Sequence, residues 1–240
     1  MLKEEFAKKI KEFSDEIGVV LQEKQINQFY HYMNLLLEWN EKINLTAIIN
    51  PEEIILKHFI DSITIAKQIK ANATLIDVGT GAGFPGIPLK IIREDIEVTL
   101  LDSLNKRINF LNKVIEQLEL TKIQAVHSRV EELGKNTKYR EKFDYATSRA
   151  VANLSTLAEY LIPLVRIDGI CISMKGANIE EEIQQSKKAI SVLGGKIEKI
   201  EEFQLPKTDM NRSIILIQKI KPTPAKYPRK PGTPAKDPIK

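Results

Sequence analysis

The glycine-rich stretch over residues 75–86 limits what this chain can fold into more than any other segment. Its sequence, LIDVGTGAGFPG, is a short apolar run that ends at Asp77, passes through glycines 79, 81 and 83, and reaches Pro85. Because proline suits the first turn of a helix, this order predicts a strand, a tight loop and a helix start. The glycines remove each Cβ that would hold a ligand away from the backbone, so the loop suits a nucleoside. A tight turn that needs glycine only for its backbone is the alternative.

The spacing of the glycines does not identify the nucleoside. Gly81, Gly83 and Gly86 also satisfy the dinucleotide pattern, with Asp102 at a suitable distance to reach a ribose hydroxyl. Against a dinucleotide stands Asp77, because a carboxylate at the end of the first strand would lie close to a pyrophosphate. S-adenosylmethionine carries an ammonium and a sulfonium but no phosphate. The charge of Asp77 therefore favours S-adenosylmethionine over a nicotinamide dinucleotide.

Composition indicates an ordinary globular chain. The 240 residues are 42% hydrophobic and 28% charged, which is enough for one core with an extension. No apolar run has the length of a membrane span and the first residues are charged, so we expect a cytoplasmic protein with no membrane partner. Cys171 is the single cysteine and the three histidines lack metal-ligand spacing, so we expect neither an internal disulfide nor a metal.

Residues 1–70 are predicted to form a helical extension. Apolar residues recur there at steps of three and four, which places them on one helix face: Ile26, Phe29, Tyr30, Met33 and Leu37. His58 and Asp61 are interpreted as a satisfied surface or interface pair rather than as catalysts. Helix N-caps are predicted at Asn50, at Asn153 and at Asn178 with Glu181 as its capping-box partner.

Residues 71–220 are predicted to form an α/β core. From about residue 73 strands alternate with helices, which indicates βαβ units and a parallel sheet. The last two strands, near 196–204 and 212–219, leave no room for a helix between them and should form a hairpin. We therefore predict the fold of a class I S-adenosylmethionine-dependent methyltransferase, with a Rossmann-like, mostly parallel seven-stranded sheet that ends in an antiparallel hairpin.

The C-terminal segment, residues 221–240, is basic and rich in proline. From Lys219 onward seven Lys and Arg accompany one acid, so this end carries +6 and the rest of the chain about −2. Its six prolines are expected to exclude regular helix and to keep the segment extended. A cationic segment on a near-neutral body suggests a nucleic acid partner. An arm laid along phosphates, which would use Arg229 and Lys230, and a solvated linker are the two interpretations.

Four motifs together resemble one family closely. They are DVGTGAGFPGIPL from Asp77, LDSLNKR from Leu101, SRVEE from Ser128 and SRA from Ser148. On these motifs the chain is similar, from about residue 35 to residue 219, to the RsmG family of small-subunit ribosomal RNA methyltransferases, also called GidB. The resemblance implies transfer of a methyl group from S-adenosylmethionine to N7 of a guanosine in 16S rRNA. The implied partner is 16S rRNA or the small ribosomal subunit, and we expect the enzyme to be a monomer.

The glycine loop and the resemblance together give the expected site residues. Residues 102–104 would surround the ribose, and Val130 and Glu131 would hold the adenine. The residues expected to bind the cofactor are Asp77, Gly79, Gly81, Gly83, Phe84, Asp102, Ser103, Leu104, Val130, Glu131 and Arg149. Arg149, after the fourth strand, is the expected catalytic residue near the methyl group. The residues expected to contact RNA are Lys106, Arg129, Lys175, Arg229 and Lys230.

These residues fit the implied chemistry. N7 of guanine carries a lone pair and no proton, so its methylation needs no general base. The commonest arginine contact to guanine uses O6 and N7 together, so Arg149 and Arg129 are expected to touch only O6 or a phosphate. Specificity would come from a splayed-out base stacked in the pocket. Two alternatives remain open, a nucleotide-cofactor oxidoreductase of the NAD type and a non-catalytic RNA-binding module.

Overall fold

The structure is a computed structural model that describes residues 1–149 and 151–240. Ala150, the last residue of the SRA motif, lies outside the described residues. The strands within them are β1 (Thr74–Val78), β2 (Glu97–Asp102), β3 (Ile123–His127), β4 (Phe143–Arg149), β5 (Val165–Lys175), β6 (Gly195–Gln204) and β7 (Asn211–Lys219). In this part of the chain all seven strands form one sheet, in the order β3-β2-β1-β4-β5-β7-β6.

The sheet is parallel except at one edge. β1 pairs in parallel with β2 on one side and with β4 on the other, whereas β7 lies antiparallel between β5 and β6. Residues 205–210 alone connect β6 to β7, which is too short for the crossover that a parallel pair requires. The predicted fold is therefore confirmed. The strand order reverses between β1 and β4, and ligands of open α/β sheets bind beside such a point, at the carboxyl ends of the strands.

The helices carry the predicted caps at two of three positions. They are α1 (Lys3–Glu16), α2 (Glu23–Ile43), α3 (Pro51–Ile54), α4 (Asp61–Ile63), α5 (Gly86–Ile92), α6 (Asn105–Gln117), α7 (Val130–Leu133), α8 (Leu154–Leu161), α9 (Glu180–Leu193) and α10 (Thr233–Lys236). Asn50 and Asn153 accept backbone N–H groups at the starts of α3 and α8, as predicted. The predicted cap at Asn178 is wrong, because Ile179 precedes α9 and Asn178 has a φ of +59°.

The N-terminal helices share one hydrophobic core with the sheet. A π-helical turn, Ile55–Ile60, joins α3 to α4 and brings Phe59 against Phe29 of α2, with ring centroids 5.0 Å apart. Leu75 of β1 and Leu100 of β2 belong to the same cluster and are fully buried. Residues 1–70 are thus held to the sheet by a continuous apolar core. None of the helices in the described ranges combines the length and apolarity that crossing a membrane requires.

The C-terminal segment is folded against the core. Arg140 donates hydrogen bonds of 2.8 Å to the carbonyl oxygens of Tyr227 and Thr223, and both of these residues are buried. The expectation of a wholly extended segment without helix is wrong, because α10 forms with Pro234 in its first turn. Proline is tolerated there since the first N–H groups of a helix have no intrahelical partner.

Candidate functional site

The glycine loop is tied to the end of the neighbouring strand. The backbone N–H of Gly79 donates to the carbonyl of Leu101, and that of Gly81 donates to Oδ2 of Asp102 at 3.0 Å. Gly81 has a φ of +62°, and no atom lies within 4 Å of the place where a Cβ would stand. This open backbone next to a carboxylate is the cradle that a nucleoside requires.

Asp102 is the most strongly held carboxylate beside the loop. Its Oδ1 accepts the N–H of Leu104 at 2.9 Å, and its Oδ2 accepts Nη1 of Arg107 at 3.2 Å together with Gly81. A carboxylate offers about four acceptor positions, so these three donors leave capacity for one more. A hydroxyl of a bound ribose is a suitable further donor.

A cavity of about 460 Å³ opens over this loop. Its lining includes the predicted residues Gly79, Gly81, Phe84, Asp102, Ser103 and Arg149. It also includes residues that were not among the predicted site residues: Leu45, Thr46, His58, Thr80, Ala82, Arg107 and Val151. The predicted residues Asp77, Gly83, Leu104, Val130 and Glu131 do not line it.

Asp77 lies beneath the loop and is fully buried. Its Oδ2 accepts the hydroxyl of Thr80 at 2.6 Å and the N–H of Gly86 at 2.8 Å, while no described donor reaches its Oδ1. Burial raises the pKa of Asp77 from 3.8 to about 6, against the opposing effects of these two hydrogen bonds and of Arg149. Asp77 therefore shapes the loop from below, and its negative charge lies under the cavity rather than at its surface.

Gly83 and Leu104 also support the site from outside the cavity. A Cβ on Gly83 would stand 2.5 Å from the Ile87 side chain and 2.6 Å from Oη of Tyr32, so the glycine permits close packing of the loop on α2. The same Tyr32 hydroxyl donates to the carbonyl of Ala82. Leu104 precedes α6 and contributes its backbone N–H to Asp102, with its side chain half exposed.

Val130 and Glu131 begin α7, directly after β3. The carbonyl of Asp102 accepts the N–H of Ser128, so the ends of β2 and β3 lie side by side. Glu131 is 4% exposed, and its Oε1 accepts the N–H of Gly232 from the C-terminal segment at 2.8 Å. The structure thus places a nearly buried carboxylate past the β3 end, next to the C-terminal segment.

Arg149 joins the core to the N-terminal helices. Its Nη1 donates at 3.0 Å to the carbonyl of Lys57 and to Oδ2 of Asp61, and its Nη2 lies 3.3 Å from Nδ1 of His58. The guanidinium also lies 5.1 Å from the centre of the Phe84 ring. His58 and Asp61, interpreted as a surface or interface pair, each contact Arg149 instead of the other. Of the five N–H donors of arginine, Nε and one on Nη2 stay available among the described contacts.

His58 is neutral and its tautomer follows from its neighbours. Burial, and then the charge of Arg149, lower the pKa of His58 to about 3. Arg149 must donate to Nδ1, so the proton lies on Nε2 and is donated to Oγ1 of Thr46 at 2.9 Å. Since Thr46 Oγ1 also accepts the N–H of Ile48, its own hydroxyl hydrogen is available to the cavity. The residues around Asn44 to Ile48 gave no sequence signal for this role.

A second cavity, of about 340 Å³, adjoins the first. It shares His58 and Arg149 with the first and is further lined by Ile48, Lys57, Asp61, Met174, Lys175, Gly176, Phe203, Arg212, Ser213 and Ile214. Asp61, which is 4% exposed, bridges the two arginines, because its Oδ1 accepts Nε of Arg212 at 3.0 Å. The site therefore consists of two adjoining chambers with Arg149 and His58 in the wall between them.

The basic residues expected to contact RNA lie in different surroundings. Lys106, Arg129 and Lys230 are exposed. Lys175 lines the second cavity but its Nζ donates to Glu182 and to the carbonyl of Ala152, both at 2.6 Å. Arg229 forms a two-pronged ion pair with Glu159, a fully buried carboxylate, so its charge is neutralised inside the protein. Within the described residues no group of three potential ligands is placed to hold a metal ion.

Comparisons with known proteins agree with this architecture. The model of the family described as GidB, rRNA small subunit methyltransferase G, matches residues 25–214. A protein named ribosomal RNA small subunit methyltransferase G from Desulforamulus reducens is 54% identical over 232 residues, which is 96% of this chain and 97% of that protein. Its namesake from Acetivibrio thermocellus is 56% identical over 223 residues, 92% of each chain.

Among solved structures the similarity is one of fold. A SAM-dependent methyltransferase from Aquifex aeolicus superposes with a TM-score of 0.52 at 16% identity, covering 70% of this chain and 94% of that one. At this identity the match supports only the arrangement of sheet and helices.

Proposed function

The chain belongs to the GidB family of ribosomal RNA small subunit methyltransferases, and from this membership and the two adjoining chambers we propose that it transfers a methyl group from S-adenosylmethionine to N7 of a guanosine in 16S rRNA. The single observation that carries the proposal is that a cavity over the glycine loop meets a second cavity at Arg149 and His58. One chamber suits the cofactor and the other the target base.

The residues of the first chamber fit S-adenosylmethionine. Open backbone at Gly81 admits a flat nucleoside, and Asp102 has capacity for a ribose hydroxyl. Asp77 and Asp102 give this end of the sheet negative charge, which suits a cationic ligand and disfavours the pyrophosphate of a dinucleotide. We therefore assign Gly79, Gly81, Phe84, Asp102 and Ser103 to its binding. When bound, the cofactor supplies an electrophilic methyl group on sulfonium.

The second chamber is suited to an extruded guanine. Phe203, Met174 and Ile214 give it apolar surface, while Ser213 and Arg212 provide polar groups. A base taken out of an RNA strand is held by stacking and by hydrogen bonds to its edges. The hydrogens of Arg149 that have no described acceptor suit O6 of guanine, which leaves N7 free to react.

This chain's residues then act by positioning. N7 has no proton to lose, so neutral His58 is not required as a base. Arg149, Asp61 and Arg212 fix the boundary that the two chambers share, so that a nucleophile in one chamber meets the methyl donor of the other. Such orientation supplies roughly 7 to 11 kcal/mol of a barrier in favourable cases. If one of these three side chains lost its hydrogen-bond partners, the alignment of the nucleophile with the methyl group would be lost.

The test is transfer of labelled methyl groups to 16S rRNA and to assembled small subunits, followed by mapping of the modified base. We expect label at N7 of one guanosine, and we expect calorimetric titration to detect binding of S-adenosylmethionine but not of NAD. Arg149→Lys, which keeps the charge but not the fork of donors, should reduce turnover strongly. Arg166→Lys is the matched control, because Arg166 pairs with Asp144 at the surface. Transfer to a position other than guanine N7, or equal turnover in both variants, would refute the assignment.

A further inference from the structure

The C-terminal segment contacts Glu131, the residue that the family resemblance places at the adenine of the cofactor. It is held by Arg140 at its start, by the pairing of Arg229 with Glu159 in its middle, and by Thr156, whose hydroxyl donates to the carbonyl of Pro234. Between the last two contacts the N–H of Gly232 donates to Glu131. Four separate attachments over fewer than twenty residues make this segment part of the folded core.

The two carboxylate oxygens of Glu131 differ in their hydrogen bonding. Its Oε1 accepts Gly232 N–H, and Oε2 accepts no hydrogen bond from the described residues, although the residue is only 4% exposed. Oε2 is not fully enclosed, so it is open to a donor from a bound molecule. The exocyclic amino group of adenine is a donor of the right kind, and α7 lies past the carboxyl end of β3, beside the end of β2.

The surroundings of Glu131 make the segment necessary for its orientation. Burial, and then the charges of Glu131 and Glu159, raise the pKa of Tyr160. The charge of Arg129 has the opposite effect. Arg229 neutralises Glu159, and Gly232 supplies the one described hydrogen bond to Glu131. Removal of the segment would leave both acids without these donors.

We propose that residues 229–236 form the outer wall of the adenine subsite, and that Gly232, by fixing Glu131 Oε1, makes Oε2 a selective acceptor for the 6-amino group of the cofactor. This inference rests on the proposed function, since it assigns a further element to the same site. It gives the basic segment a role in cofactor selection, where its composition suggested RNA binding.

Docking of the C-terminal segment and binding of adenosine should be thermodynamically linked. If the docked segment tightens adenosine binding by some factor, bound adenosine must tighten docking of the segment by the same factor. Trypsin cleavage after Lys226, which is exposed, reports on docking without any methyl transfer. Saturating S-adenosylhomocysteine should therefore slow this cleavage, and the analogue with inosine in place of adenosine should slow it less.

The experiment compares the dissociation constants of S-adenosylhomocysteine and S-inosylhomocysteine by calorimetry. One variant ends at Lys230 and so loses Gly232 while keeping Arg229 with Glu159. The matched control ends at Asp237 and keeps both contacts. A second variant, Gly232→Ala, adds only backbone strain at a φ of +81°, and Gly18→Ala adds the same strain at +73° far from the site; neither new Cβ has an atom within 4 Å.

We expect the shorter chain to bind S-adenosylhomocysteine about tenfold more weakly and S-inosylhomocysteine almost unchanged, since a hydrogen bond to a charged group is at stake. Gly232→Ala should shift the ratio of the two dissociation constants in the same direction. The chain that ends at Asp237 and the Gly18→Ala variant should both have the ratio of the unaltered chain. If the shorter chain fails to fold, the Gly232→Ala ratio decides. An unchanged ratio overturns the inference alone, whereas an unaltered chain that binds neither compound nor S-adenosylmethionine overturns the proposed function as well.

Discussion

Replacement of Asp77 by asparagine should change how the stability of this protein depends on pH. The side chain is fully buried, and burial raises the pKa of Asp77 from 3.8 to about 6. The unfolded chain therefore releases this proton more readily than the folded one. The stability that the protonated Asp77 contributes to the folded state is complete below pH 3.8, which is its pKa in the unfolded chain. This contribution is lost as the pH rises through about 6, its pKa in the folded chain.

The size of the effect follows from the shift. A rise from 3.8 to about 6 corresponds to a loss of about 3 kcal/mol once the group is ionised in both states, of which about 2 kcal/mol falls between about pH 4.5 and 8. Asparagine does not ionise, but its amide oxygen can accept from Thr80 and Gly86 as Oδ2 does now. As the pH rises from about 4.5 to about 8, the free energy of unfolding of the variant should therefore increase by about 2 kcal/mol relative to that of the natural chain.

Urea unfolding at a series of pH values measures this difference. The exposed Asp15→Asn change is the control for loss of one carboxylate, and it should track the natural chain. We further expect Asp77→Asn to bind S-adenosylmethionine more weakly above pH 6, because the negative charge beneath the loop is gone. A stability difference between Asp77→Asn and the natural chain that stays constant across the series would refute the reasoning.

Three further predictions test separate contacts. Arg229→Ala should cost about 3 to 5 kcal/mol in urea unfolding, because the buried Glu159 loses its guanidinium partner and keeps only the backbone N–H of residue 229. Glu159→Gln in the same chain should restore part of the loss. Gly83→Ala should lower the free energy of unfolding by about 1 to 3 kcal/mol, because the new Cβ would clash with Ile87 and Tyr32. Gly81→Ala places its Cβ in open space, so it should weaken cofactor binding, measured by calorimetry, more than it lowers the melting temperature. Since the pKa of His58 is about 3, the methyl-transfer rate should show no inflection from it between about pH 5 and 8, and an inflection that disappears in His58→Gln would contradict this.

The sheet and the glycine loop were predictable because local patterns specify them. Alternating apolar strands and helices determine a parallel sheet, and the six residues between β6 and β7 permit only a hairpin. Glycines 79 and 81 require φ values near +65°, which fits the predicted tight loop. Local pattern was less informative about which glycine faces a ligand, since Gly83 has the same spacing but packs on Tyr32.

The wall between the chambers could not be predicted from the sequence. Asp61 contacts Arg149 and Arg212, which lie 88 and 151 positions further along the chain. Thr46 and Leu45 line the cofactor cavity from a turn that has no hydrophobic period and no recognisable motif. Such contacts depend on how the N-terminal helices dock on the sheet, and that docking is specified by a shared apolar core rather than by any short segment.

The C-terminal segment shows why net charge is a poor guide to the role of a basic stretch. Seven cations against one acid suggested a polyanionic partner, but the count does not reveal which charges the fold already uses. Arg229 is paired with Glu159 and Lys219 with Glu141, so only part of the apparent charge is available to RNA. Deletion of the segment should therefore weaken cofactor binding and stability in addition to RNA binding. The test is whether a chain that ends at Lys219 binds S-adenosylhomocysteine as tightly as the natural chain, and equal binding would return the segment to an RNA-binding role.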